Sequence, residues 1–197
     1  MPELTEDVTF RHEDWYGEEF TDRHFVGCEF FQVDLTEAVT RGAVFTGCTF
    51  GNVLFNASRH VDSAFTRCVF KRCNFFEAEF TGCKLVGSTF VECDLRPLRV
   101  DGGDWSFVAL PGADLRAVWL SDVRMREVDL SGANLTGATV TGVDLSGAQL
   151  QKCRLGGADL RRSDLTALDP TSVERAGAIV DPEQALVIAQ ALGFRIG

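Results

Sequence analysis

Residues 133–147 read ANLTGATVTGVDLSG, three units of five that each place a small residue first, a large apolar residue third and glycine fifth. The frame extends far in both directions without one inserted or missing residue. Every fifth position from Phe10 to Leu165 gives 32 central residues, of which 30 are Phe, Leu, Met, Trp or Val; only Thr40 and His60 depart. Two residues before each central one, the 28 positions from Cys28 to Ser163 hold Ala, Cys, Ser or Val except at Leu98 and Gly103. Thirteen of the 19 glycines stand two residues after a central residue.

A period of five matches neither the 3.6 of a helix nor the 2 of a strand, so the chain must turn within every unit. Glycine at a fixed place supplies the positive φ of a tight type II turn. The large and the small side chain then point inward, and the other three meet solvent. Four sides close a coil of twenty residues, as short units do in stacked β solenoids. The expected fold is an all-β solenoid, a quadrilateral β-helix of about eight coils and about 38 Å in length at the spacing of hydrogen-bonded strands.

Folded at twenty, one side stacks Phe10, Phe30, Phe50, Phe70, Phe90, Leu110, Leu130 and Leu150, and another sets Thr40 beside His60. Phe fills twelve central positions up to residue 90 and none after it, so the two halves must pack differently. At residues 95–105, LRPLRVDGGDW, Pro97 lacks a backbone donor, Leu98 is too large for the small frame and Gly103 leaves it empty, which predicts a kink or bulge. In the first coil Glu13, Glu18 and Arg23 occupy the small frame, so that coil is expected to be loose or open to water.

Three segments follow: residues 1–9 as an N-terminal cap, 10–167 as the β-helix, and 168–197 as a C-terminal cap. In the last, Asp181 suits an N-cap with Gln184 three residues on, Pro182 the first helical position and Gly193 the stop, which predicts a helix near 182–192. Its apolar residues cover more than one face. One face can close the last coil; Leu186, Ile188, Ala189, Leu192 and Phe194 are the expected interface of a homodimer joined through the C-terminal ends.

All seven cysteines (28, 48, 68, 73, 83, 93 and 153) share the small frame, where Ala and Ser alternate with them. That pattern is a packing rule, without the paired spacing of a zinc site. No metal, no cofactor and no catalytic constellation is expected. His12, His24 and His60 lie on different units, and only His60 points inward, as a hydrogen-bonded core residue. The opening MPELTEDVTF lacks an apolar leader and no run suffices for a membrane helix, so a cytoplasmic protein with reduced thiols is expected.

The net charge of -10 argues against nucleic acid as a ligand and for a basic partner. Residues 1–37 carry eleven acids against two bases, while residues 38–167 carry 14 acids against 15 bases. The expected contact surface is therefore Glu13, Asp14, Glu18, Glu19, Asp22, Asp34 and Glu37.

Units such as ANLTG and ADLRR, over residues 8–167, resemble those of the pentapeptide-repeat proteins. The resemblance implies a right-handed β-helix. The unbroken register, the segment ECDLRPL at 92–98 and the short capped helix are similar to the mycobacterial fluoroquinolone-resistance branch of that family. It implies a homodimer that mimics duplex DNA, binds DNA gyrase and protects against fluoroquinolones. The alternative is an interaction module with another basic partner.

Overall fold

The computed structural model describes residues 3–197; Met1 and Pro2, part of the expected N-terminal cap, lie outside the described residues. The chain forms a parallel, four-sided β-helix in which each residue pairs with the one twenty positions on. The first face stacks Glu3–Glu6, Arg23–Val26, Val44–Thr46 and Ala64–Thr66. The second stacks five strands from Thr9–Arg11 to Thr89–Val91, and the fourth stacks seven from Glu19–Thr21 to Thr139–Thr141. The third face is built of single bridges, Asp14 to Asp34 to Leu54 to Asn74 to Asp94 and then Asp114 to Asn134 to Arg154 to Glu174. Pairing begins at Glu3, within the segment expected to be a cap, and continues beyond Leu165 to Ile179.

The five-residue rhythm works as the sequence implies. Central residues from Phe20 to Leu165 are buried, and so are nearly all of the small ones. The corner position two residues past a centre is left-handed whether or not it is glycine, except at Pro97, whose ring forbids positive φ, and at Ala167. All eighteen non-glycine residues with positive φ, from Asp7 to Arg162, stand there, so the coil imposes that geometry and glycine only eases it. At Gly82 there is a second reason, because a Cβ would fall 2.4 Å from the Asp62 carboxylate of the coil below.

Inside, the parallel register forces like on like. Phe30 and Phe50 stack at 4.6 Å and 7°, Phe45 and Phe65 at 4.6 Å and 4°, Phe55 and Phe75 at 4.7 Å and 3°. These centroid separations equal the strand spacing, so coil height sets the ring stacking. Trp105, stacked on Phe90, is the last ring of the series, and leucine, valine and methionine fill the interior beyond it.

The small frame has a function that size alone does not reveal. Each cysteine thiol donates to the main-chain carbonyl 23 residues earlier, as Cys68 Sγ does to Phe45 O at 3.4 Å. Ser88 Oγ does the same to Phe65 O at 2.6 Å, and Ser163 Oγ to Val140 O at 2.8 Å. All seven cysteines are free, and burial pushes the Cys83 thiol up to about 12 and that of Cys153 to about 11, which keeps them protonated donors. Among the described residues no group of three His, Cys, Asp or Glu is placed to hold a metal ion.

The irregularity expected at 95–105 is real but one-sided. Register is kept, with Phe80 opposite Val100 and Val100 opposite Leu120, so nothing bulges. On the third face, however, the bridge from Asp94 to Asp114 is missing.

The C-terminal helix spans Pro182–Ala191, with Asp181 as N-cap and Gln184 completing a capping box. Its buried anchor is Gln184, whose amide Nε2 donates to Ser163 O at 2.7 Å, a carbonyl that the last coil leaves without a next rung, and to Leu160 O at 2.6 Å, which also accepts from Ser163 N. Asp181 Oδ2 accepts from Arg162 N at 2.8 Å, which ties the cap to the same coil.

Candidate partner-binding surface

A filled rod confines recognition to its outside and its two ends. His60, the one inward histidine, sits 1% exposed within a complete hydrogen-bond chain. Ser58 Oγ spends its single proton on Phe55 O at 2.7 Å, so at the 3.0 Å contact with His60 the ring Nε2–H must donate. Nδ1 therefore accepts from Thr40 Oγ1 at 2.9 Å, and Ser63 Oγ ends the chain, its one proton shared between Thr40 Oγ1 at 2.8 Å and Val61 O at 3.0 Å. Burial holds this imidazole neutral, lowering its pKa to about 3. It is a structural group, stacked on Phe80 at 4.5 Å.

At the N-terminal end Glu13, Asp14, Glu18, Glu19, Asp22 and Glu37 are exposed, while Asp34 is half-buried because its Oδ1 accepts from Thr36 N at 2.8 Å. Asp14 and Asp34 are direct neighbours on the third face. Tyr16 lies beside them, and a hydrogen bond with Glu37 raises its pKa. Glu18 and Glu19 turn the corner to the fourth face, where Asp22 follows. The seven acids thus cover two adjoining faces of the first two coils. Glu13 and Glu18 are exposed although they stand in the small frame, because among the described residues no coil lies below the first to enclose them. Arg23 is held differently: it pairs with Glu3 at 3.3 Å and lies over the rings of Phe20 and Phe25.

Further along, acids and bases neutralise each other in ladders between and within coils: Arg124 with Asp104 at 3.1 Å, Arg126 with Asp144 at 2.6 Å, Arg161 with Asp159 at 2.6 Å. Arg161 holds Asp159 below the usual carboxylate range, and at Asp144, against the opposing effect of burial, hydrogen bonds from Ser146 and then Arg126 do the same. The surplus of negative charge is at the tip, with eleven acids against two bases over residues 1–37.

At the opposite end Leu186 is 50% exposed, Phe194 66% and Leu192 41%, with Ile179 and Ile196 adding to the apolar surface. Ile188 and Ala189, expected in the same interface, are half-buried, and Ile188 packs against the core. Helix period explains the split: the face bearing Gln184 and Ile188 turns to the last coil and the face bearing Leu186 turns away.

Eight copies of the family described as "Pentapeptide repeats" match within residues 61–96, 110–147 and 144–169. The chain belongs to the pentapeptide-repeat family. One relative is the pentapeptide repeat protein MfpA of Mycobacterium tuberculosis (strain ATCC 25618 / H37Rv), 37% identical over 104 residues, which are 53% of this chain and 57% of MfpA. Among solved structures, a trypsin-treated form of QnrB1 matches with a TM-score of 0.64 at 20% identity, covering 98% of this chain and all of the other. Full-length QnrB1 matches with a TM-score of 0.60 at 20% identity over 97% of this chain. QnrB1 is described as a plasmid-mediated fluoroquinolone resistance protein, and at this identity the likeness is one of fold. As in other repeat solenoids, each pentapeptide coil here contacts only its neighbours, so the ends are the places where charge and apolar surface are left over. No helix among the described residues is long and apolar enough to cross a membrane.

Proposed function

We propose that this pentapeptide-repeat protein confers protection against fluoroquinolones by binding DNA gyrase in place of DNA. It acts by occupying a groove and catalyses nothing. The observation that supports this reading most is the acidic tip of a solid rod, on a chain related to MfpA and folded like a fluoroquinolone resistance protein. Duplex DNA is a rod with one negative charge per about 1.7 Å, and a surface built to hold it is basic. Glu13, Asp14, Glu18, Glu19, Asp22, Asp34 and Glu37 form the contact. Two copies join through Leu186, Leu192 and Phe194, with Ile188 and Ala189 beneath them, so a doubled rod carries an acidic tip at each far end. The rod works in the cytoplasm, where gyrase is found and its seven thiols stay reduced.

The test is DNA supercoiling by purified gyrase with and without a quinolone. Added protein is expected to change supercoiling and reduce drug-induced cleavage, and Glu18→Lys with Glu19→Lys to weaken both effects and their salt dependence. No effect at micromolar dimer overturns the gyrase reading. Leu186→Glu with Phe194→Glu is expected to halve the mass in sedimentation; a monomeric parent overturns the dimer. The near-neutral middle, 14 acids against 15 bases over residues 38–167, favours the second reading, an interaction module that takes another basic partner at its tip.

A further inference from the structure

The third face has a seam between the coils bearing Asp94 and Asp114. Among the described residues no main-chain hydrogen bond links residues 92–97 to 111–117. One coil earlier, Phe75 N donates to Asp94 O at 2.8 Å; one coil later, Leu115 N donates to Asn134 O at 2.8 Å. Part of the cause is written in the sequence, at the corner of the face. Glu37 and Ala57, the counterparts of residue 97, donate their N–H upward to Asn56 O and Phe76 O at 2.8 Å, and Pro97 has no N–H to give.

The other three faces stay joined at this level, through Lys84 with Asp104, Thr89 with Ala109, and Arg99–Asp101 with Trp119–Ser121. Other features gather at the seam. Cys93 alone of the seven cysteines is incompletely buried. A groove of about 300 Å³ opens where the seam meets the fourth face, lined among others by Glu77, Pro97, Leu98, Arg99 and Trp119. Arg96 spans the gap to Asp114 at 3.1 Å, and Arg116 grips the same carboxylate oxygen at 2.7 Å. Arg96 and Asp114 are each 38% exposed at the side chain, so the pair is weak and screened by salt.

We propose that the seam is a hinge: the rod bends by opening on its third face, about the still-laddered first face opposite, and Arg96–Asp114 is the latch. Stacked coils otherwise yield little, because the levels directly before and after this one are paired on all four faces; here one side is free and held by a single exposed ion pair. Bending would swing the acidic tip relative to the C-terminal end, and it is a property of the rod alone, independent of any partner.

Amide hydrogen exchange on the full chain tests it. Leu95 and Asp114 are expected to exchange at least about tenfold faster than Phe75 and Asn134. Raised salt and Asp114→Asn should accelerate them further, and Pro97→Gly, which restores the missing donor, should slow them to the level of their neighbours. Equal exchange at the seam and at Phe75 would overturn the hinge. So would fast exchange that ignores salt and the Asp114→Asn change, since that describes a fixed gap without a latch.

Discussion

The rod has two halves that share one backbone rhythm and differ in what fills them. Up to Phe90 the interior is a set of mostly aromatic columns whose rings lie parallel from coil to coil, interrupted by Leu35, Leu85 and the Thr40–His60 pair on the fourth face. Beyond Trp105 the same positions hold branched aliphatic side chains with no polar group among the central residues. The backbone keeps its register across the change, with pairing at twenty residues on the fourth face, and breaks only on the third face between Asp94 and Asp114. What the period fixes is which residues point inward; what occupies those places is free to vary as long as each column is consistent. The polarity of the ends follows the same division, with bare acids on the aromatic half and an apolar helix on the aliphatic one.

The largest expected separation between the halves is in acid. His60 is neutral when folded, with a pKa of about 3, and takes up a proton near its ordinary value when unfolded. The unfolded chain therefore binds more protons between about pH 6.5 and 3, and stability falls as pH is lowered through that window, by up to about 1.4 kcal/mol per unit. His60→Phe, which extends the column to Phe80 and leaves Ser58 bonded to Phe55 O and Thr40 to Ser63, should flatten that acid limb in denaturation measured at several pH values. An unchanged limb would show that the aromatic half is not acid-sensitive through His60.

Phe50, stacked between Phe30 and Phe70, comes next. Phe50→Ala should cost about 3–5 kcal/mol in chemical denaturation, through lost burial and a cavity between two rings that cannot close it. Phe50→Leu should cost far less, because it makes one level of the aromatic half resemble the other; equal costs would mean that ring stacking, and not volume, distinguishes the halves. At the aliphatic end, Gln184→Ala strands the Ser163 carbonyl, takes one of two donors from Leu160 O and should destabilise by about 1–3 kcal/mol, read as faster exchange confined to the last coil. The smallest effect is expected at the other tip. Glu18→Ala, at an exposed small-frame position, should change stability by less than about 0.5 kcal/mol.

Much of this is legible in the sequence, for a physical reason. A period of five with two inward places is a local rule, and each unit states it in its own residues; the same holds for the cap, where Asp181, Pro182 and Gln184 are close in sequence. What stays hidden depends on pairs twenty or more apart. The thiols and hydroxyls of the small frame look merely small, and their bond to a carbonyl 23 residues back emerges only once the coil is closed. Gln184 announces itself as a capping-box partner, and its reach to the previous coil has no local sign. Asp34 counts as surface charge by its frame, although the Asp-x-Thr sequence, whose carboxylate folds onto Thr36 N, marks a half-covered turn. Pro97 and Leu98 do signal the irregularity, but the sequence offers no way to tell a bulge from an opening on one face.

The first strands, Glu3–Glu6, Thr9–Arg11 and Glu19–Thr21, are paired on one side only. A parallel stack with an uncovered rim is a template onto which another copy can add, and then another, so the fold carries within it the seed of an endless filament. Glutamates and aspartates gathered around that rim repel a second rim, and at the other end of the stack the helix anchored by Gln184 covers the coil that a rim would otherwise join. Whatever else the tip recognises, it also limits the rod's own length.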